Sequence, residues 1–296
     1  MQDVRILGHT KGIRETCMDT ILVADCGINH NGDVEIAKKL IDIAKAGGCQ
    51  YVKFQKRTID AVYTKDELDA PRESPWGKTF RAQKEGLELS KEAYVEIDQY
   101  CKQQGIGWFA SPWDEASVDF LMEFDVPFMK VAAACITNIP LLRKIKSTGK
   151  PVILSAGMCS LDELNIALDI LGENCQYILS CTSTYPTKVE DMNMKKIKNL
   201  QYMFGSVKKI GFSNHSSGIL FIAMAGILGA KMIEFHITLD RSMYGSDQAA
   251  SIEQPGVMKI RDYIQDVEKS WGDGEIECLP AKLPVRKKLT KNWATT

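Results

Sequence analysis

Short apolar runs alternate along the chain with longer stretches whose apolar residues recur every three or four positions. The runs read as buried strands over 20–26 (TILVADC), 50–55 (QYVKFQ), 107–110, 128–131, 151–155 (PVILS), 176–181 (QYILSC), 209–213 (KIGFS) and 232–237 (MIEFHI). The stretches between them read as helices over 34–46, 90–104, 114–124, 140–147, 161–171, 192–200, 217–228 and 255–270. Gly47-Gly48 closes the first of these and Ser90 caps the second. Eight strands, each followed by a helix, predict a parallel sheet closed into a single-domain (β/α)8 TIM barrel over 1–280, with 281–296 as a C-terminal tail. An open doubly wound sheet is the alternative, but no Gly-rich fingerprint follows the first strand. One interval breaks the rhythm. Residues 56–87 are polar, carry Pro71, Pro75 and Gly77, and show no clean period, which predicts a long functional loop.

Composition narrows the class. The 296 residues are 45% hydrophobic and 25% charged, the balance of a globular enzyme. A formal net charge of -1 excludes a general nucleic-acid or acidic-lipid partner. No apolar stretch reaches the ~18 residues of a membrane helix, and the N-terminus has no signal-peptide h-region. Nine cysteines, an odd count without CxxC spacing, suit free structural thiols in a reducing compartment, so a cytoplasmic location is expected.

A barrel directs attention to the C-terminal ends of its strands, where barrel enzymes place their chemistry. Those ends supply Asp25 and Asn29-His30-Asn31, Lys53 and Gln55, Ser111, Lys130, Ser155, the Thr182-Ser183-Thr184-Tyr185 run, Ser213-Asn214-His215 and His236, with Asp240 and Asp247 in the last loop. His215 and His236 flank one strand–helix–strand unit, whose strands lie parallel and adjacent, so both imidazoles can meet on one rim. Neutral imidazoles suit Zn, Mn, Fe or Co. Lysines supply point charges for phosphate and carboxylate, and hydroxyls supply directed donors. A small, doubly anionic substrate beside a divalent cation is the natural guest. Each residue also has a plainer role open to it. The lysines could pair with carboxylates, the serines could cap helices, and Asn29 to Gly32 could form only a turn.

The segments ADCGINHNG, YVKFQ, GLELSKEAY, GIGWFASPWD, KVAAACITNIPLL, KPVILSAGM, LSCTSTYPT, GFSNHSSG, IEFHITLD and GSDQAAS, in that order, resemble the sialic acid synthase family over about 21–252. Members condense phosphoenolpyruvate with N-acetylmannosamine or a related sugar aldehyde. The resemblance implies a (β/α)8 barrel and a divalent metal, Mn before Mg or Co, held by His215 and His236. It implies phosphoenolpyruvate contacts at Lys53, Ser111, Lys130, Ser155, Ser183 and Ser213, and sugar-side positions at Gln55, Tyr185 and Asp247, with Asn29 among the substrate-binding candidates. Asp25 or Asp247 would move protons.

The departures from the family pattern fall mainly on the sugar side, although Ala133 replaces a serine that would help hold phosphoenolpyruvate. Asp25 stands where the family has Glu, Ala133 where it has Ser, Cys135 where it has a sugar-binding Glu, Gln248 for a histidine and Phe235 for a lysine. Such losses can move specificity on the order of 10⁴-fold. The family's C-terminal antifreeze-like domain is expected to be absent, leaving the acceptor to be covered by the loop after the second strand or by a separate capping protein, with a homodimer formed through the barrel. Two other classes fit parts of this pattern. One is a degenerate member with a binding or regulatory role, which Ala133 and Cys135 favour. The other is a Schiff-base aldolase using Lys130, which leaves the histidine pair unexplained.

Overall fold

The computed structural model describes residues 20–272 and 274–290. Eight strands close into a barrel: β1 (Ile21–Gly27), β2 (Tyr51–Lys56), β3 (Gly107–Pro112), β4 (Met129–Val131), β5 (Val152–Ala156), β6 (Cys175–Cys181), β7 (Lys209–Asn214) and β8 (Met232–His236). Each pairs in parallel with its sequence neighbours, and β8 closes on β1. The outer ring comprises α1 (Val34–Ala46), α2 (Lys91–Gln104), α3 (Glu115–Leu121), α4 (Ile139–Ser147), α5 (Leu161–Leu171), α6 (Lys195–Phe204), α7 (Leu220–Ile227) and α8 (Gln254–Ser270). The (β/α)8 expectation holds in full. No helix among the described residues is long and apolar enough to cross a membrane.

Local chemistry explains where these elements start. Asp33, Ser90, Asp114, Asn138 and Ser160 cap α1 to α5 in turn, each side-chain oxygen accepting from a backbone N–H of the first turn. Ser160 and Glu163 complete a capping box. The strands are buried on both faces, which is why they read as continuous apolar runs rather than alternating ones. Outward-facing Phe54 and Trp108 join Tyr94, Phe120 and Phe124 in an aromatic layer beneath the helices, with ring centroids 5.2–6.3 Å apart. The alternate, inward positions carry the polar residues.

The aperiodic interval after β2 is not a structureless loop. It folds as short helices Ile59–Val62 and Lys65–Asp69, an antiparallel hairpin of Pro71–Ser74 with Gly77–Thr79, and a helix Phe80–Leu87. Elements of three to eight residues are too short to show a period. Tertiary contact holds them: the Trp76 ring lies so close to Gly86 that a Cβ there would come within 2.1 Å of it. Trp76 also stacks edge-on against Tyr244, and Gln83 Nε2 donates to the Tyr244 hydroxyl at 2.6 Å. The insert thereby docks on the loop after β8. Two smaller corrections concern boundaries. β7 ends at Asn214, one residue before His215, and α7 begins at Leu220 rather than at 217. Within the expected tail, Leu283–Leu289 forms a short helix, while 291–296 fall outside the described residues.

Candidate active site

Strand register assembles the centre. Asp25 on β1 sits opposite His236 on β8 and opposite Lys53 on β2, and Glu234 sits opposite Ser213 on β7. Pleat alternation turns all of these into the barrel. Asp25 Oδ2 accepts from Lys53 Nζ at 2.6 Å and lies 3.2 Å from His236 Nε2, while Oδ1 accepts from the Gly27 amide at 2.9 Å. Glu234 Oε1 accepts from Ser213 Oγ at 3.0 Å and lies 3.7 and 3.9 Å from the ammonium groups of Lys130 and Lys53. Lys130 Nζ donates to Ser155 Oγ at 2.7 Å. All of these side chains are at most 4% exposed.

Burial and mutual charge set their ionisation. Burial by itself raises the Asp25 carboxyl, but the His236 and Lys53 charges outweigh it and leave the group below its usual range. For Lys53, burial opposes the charge, and Asp25 with Glu234 more than restores it, so the ammonium is held above normal. Lys130 goes the other way. Burial dominates, Glu234 compensates only partly, and Lys53 adds like-charge repulsion, so its ammonium is weakened. Two buried lysines against two buried carboxylates make a balanced network.

The histidines lie above this floor with ring centroids 5.5 Å apart. His215 Nδ1 faces the Thr182 carbonyl at 2.8 Å, which assigns the proton there and leaves Nε2, 2.9 Å from the Tyr185 hydroxyl, with its lone pair. His236 Nε2 points at Asp25, and its Nδ1 is buried without a partner, 4.0 Å from Asp247 Oδ2. Gly27, at φ 49, ends β1 in a left-handed turn whose missing Cβ would lie 3.1 Å from the His236 ring. Outer partners orient both imidazoles: His215 Nε2 turns its lone pair to the Tyr185 hydroxyl, and His236 Nδ1 is left without a partner. Among the described residues no three His, Cys, Asp or Glu side chains are grouped as a metal site by themselves.

A cavity of about 560 Å³, counted to its open mouth, covers this centre. Asp25, Lys53, Gln55, Ser111, Lys130, Ser155, Ser183, Tyr185, Ser213, His215 and His236 all line it. Ser111 Oγ is buried there without a partner, as is Glu234 Oε2. Two expected residues stand apart from the lining. Asn29 is a clasp: its Nδ2 donates to the Ile237 carbonyl at 2.9 Å and to Ser251 Oγ at 2.8 Å, tying the β1 turn to the loop after β8. Asp247 approaches only through His236. Cys181, expected to be merely structural, lies at the rim 3.7 Å from His215 Nδ1. The eight described cysteines are free thiols, and Cys17 lies outside the described residues.

Glu234 is the chief residue missed from sequence. Its signal was present: a carboxylate inside an apolar strand, two positions before His236 and so on the same face. Trp113 and Met158 also line the cavity from loops after β3 and β5, where no periodicity marks them.

A sequence model of the NeuB family matches residues 40–276. The chain belongs to the NeuB family. It is similar to N-acetylneuraminate-9-phosphate synthase of Homo sapiens, at 37% identity over 276 residues, covering 92% of this chain and 76% of that protein. It is also similar to N,N'-diacetyllegionaminic acid synthase of Legionella pneumophila, at 34% identity over 283 residues, covering 92% and 79%. Among solved structures, the N-acetylneuraminic acid (sialic acid) synthetase of Leptospira borgpetersenii, in complex with citrate, superposes with a TM-score of 0.77 at 28% identity, covering 91% of this chain and 92% of that one. This NeuB-family chain is therefore a carbon–carbon bond-forming enzyme of the sialic acid synthase type.

Proposed function

We propose that the cavity condenses phosphoenolpyruvate with a sugar aldehyde, giving a nonulosonic or related 3-deoxy-2-keto sugar acid and phosphate. The observation that carries this reading is the buried pair Lys53 and Lys130, set among Ser111, Ser155, Ser183 and Ser213 in one cavity beneath two imidazoles. Two ammonium groups and four hydroxyls match a substrate bearing one carboxylate and one phosphate. C3 of the enol attacks the aldehyde carbon, water adds at C2, and phosphate leaves with cleavage of its C–O bond. Lys53 and Lys130 hold the anionic substrate, and the enclosed floor keeps it in register with the aldehyde.

The two carboxylate candidates differ in their freedom. Asp25 already accepts from Gly27 and Lys53, faces His236, and is held below the usual carboxylate range, so it serves as a fixed counter-charge that orients Lys53 and His236. Asp247 touches the centre only at 4.0 Å from His236 and makes a single hydrogen bond to Ser246 through Oδ1. We assign it the proton-transfer role. His215 Nε2, on giving up its contact with the Tyr185 hydroxyl, and the unpartnered His236 Nδ1 would hold a divalent cation, with Mn first and Mg or Co next. Such a cation would supply Lewis-acid polarisation of the aldehyde oxygen. The free thiols extend the proposal to a cytoplasmic setting.

Phosphate release from phosphoenolpyruvate, measured with Mn against a panel of aldoses and amino sugars, tests the whole reading. Release should require an aldehyde, stop with chelator, and fall by at least 10³-fold in His215→Ala. Release without any aldehyde, or no release with any of them, overturns condensation. Release that survives chelator overturns the cation.

A further inference from the structure

Asp247 reaches the centre from a loop rather than from a strand, with Oδ2 4.0 Å from His236 Nδ1. Its carboxylate accepts a hydrogen bond from Ser246 Oγ at 2.8 Å, a neighbour on the same loop that fixes nothing against the barrel. A drift of about 1 Å in such a group can lower a rate roughly 10²-fold, so the loop itself has to be held. A buried polar network holds it. Ser251 Oγ donates to the Asp247 carbonyl at 2.6 Å and accepts from Asn29 Nδ2 at 2.8 Å. Gln248, next in the chain to Asp247, is 1% exposed and has both ends of its amide engaged. Oε1 accepts from Thr238 Oγ1, and Nε2 is shared between the Asn29 and Tyr244 carbonyls at 3.3 and 3.4 Å.

The network grips His236 as well as Asp247. Asn29 Nδ2 also donates to the Ile237 carbonyl at 2.9 Å, and the His236 carbonyl accepts from the Ile252 amide at 2.8 Å. Asn29, Thr238 and Ser251 are all buried, so any of these groups that lost its partner would be left unsatisfied at roughly 1–3 kcal/mol. The loop therefore has one low-energy place to lie. At its far end the network meets the insert after β2: the Tyr244 hydroxyl accepts from Gln83 Nε2 at 2.6 Å, and the Tyr244 ring packs edge-on against Trp76 at 5.6 Å. Trp76, Gln83, Tyr244 and Gln248 all stand outside the cavity lining.

We propose that Gln248 is the positioning residue for Asp247, and that the insert after β2 acts on the reaction from outside the cavity by docking Tyr244. The proposal rests on the condensation reading for the role of Asp247. The contacts run from Gln83 to the Tyr244 hydroxyl, from the Tyr244 carbonyl to the Gln248 amide, and from that amide to Asn29 and Thr238 on either side of His236. With the insert docked, the Gln248 amide is held between two carbonyls, and Asp247 is kept in register with the imidazole. Loosening Tyr244 frees one of those carbonyls and lets the carboxylate drift. The insert is thereby coupled to proton transfer without touching either substrate.

Two variants of the full chain test this. Gln248→Met keeps the length of the side chain and removes its amide, and Tyr244→Phe removes only the hydroxyl that meets the insert. Hydrogen exchange read by mass spectrometry needs no substrate. The Ala250 and Ser251 amides, bonded to the Asp247 and Gln248 carbonyls at 3.2 and 3.1 Å, should exchange about tenfold faster in Gln248→Met and about threefold faster in Tyr244→Phe. Phosphate release with phosphoenolpyruvate, Mn and the aldose and amino-sugar panel should lose kcat by about tenfold and about threefold respectively, with the KM for phosphoenolpyruvate unchanged. In an Asp247→Asn background each substitution should lower kcat less than about twofold, because no carboxylate is left to misplace. Losses that multiply in the double variants, or loop exchange unaltered in both single variants, overturn the proposal. Tyr244→Phe leaves the buried Gln248 amide in place, so its cycle decides the matter if Gln248→Met does not fold. Faster exchange in the variants while the wild type releases no phosphate with any aldehyde sinks the condensation reading, and leaves the insert's hold on the loop standing.

Discussion

The floor of the cavity and its outer wall are built on opposite terms. On the floor, Asp25, Lys53, Lys130, Glu234, Ser155 and Ser213 answer one another within 2.6–3.9 Å, with ion pairs and hydrogen bonds made before any substrate arrives. On the wall, Arg57 Nε and Trp113 Nε1 have no hydrogen-bond partner. The floor is held by strands in fixed register, whereas the wall comes from loops and the insert after β2. The contrast teaches where this enzyme keeps its common chemistry and where it sets its choice of acceptor. A preorganised floor handles the shared substrate. Unmatched donors on the wall discriminate among acceptors, because a partner that fails to satisfy them gains nothing there.

Removing one floor charge should have the largest effect. Lys53→Met strands Asp25, and we expect a loss of about 3–5 kcal/mol in chemical denaturation together with loss of phosphoenolpyruvate binding. Adding Asp25→Asn should restore much of the stability but not the binding. If Lys53→Met unfolds at the wild-type midpoint, the floor is not the coupled network described.

A change in pH tests how dry the strand ends are. Burial pushes the His30 imidazole down to about 4, and its Nδ1 accepts from the Gly32 amide. The folded value lies below the ordinary 6.5, so the unfolded chain binds the extra proton first. Stability is full above 6.5 and declines as pH drops toward 4. Between pH 7 and 5 the loss from this group is about 2 kcal/mol. A His30→Asn variant should show a flatter stability profile over that window, and an unchanged slope would mean that other groups carry it.

The smallest effect belongs to the wall. Trp113→Phe removes an orphaned donor while leaving a ring for Arg57 to stack on, so stability should stay within about 1 kcal/mol of wild type. The acceptor KM should rise more than kcat falls. A Trp113→Phe loss as large as that of Lys53→Met would erase the distinction between floor and wall.

Alternation of strand-like and helix-like periods was enough to specify the barrel, because eight continuous apolar runs can be buried on both faces only in a closed parallel sheet under helices. The same periodicity placed Lys53, Lys130, Ser155, Ser213, His215 and His236 at strand ends, and all of them line the cavity. Glu234 is equally legible, a carboxylate two residues from His236 and so on the same face of its strand. The pairing of Asp25 with both Lys53 and His236 was not legible, since it depends on register between strands 28 and 211 residues away along the chain. Nor was the fold of the insert, whose elements are too short to carry a period and stand only because Trp76 and Gln83 find Tyr244. Sequence alone determined the architecture and the chemical inventory, since both follow from local spacing. The tertiary structure decided which charges neutralise one another and which donors go unmet, because burial and distance between remote segments set those energies.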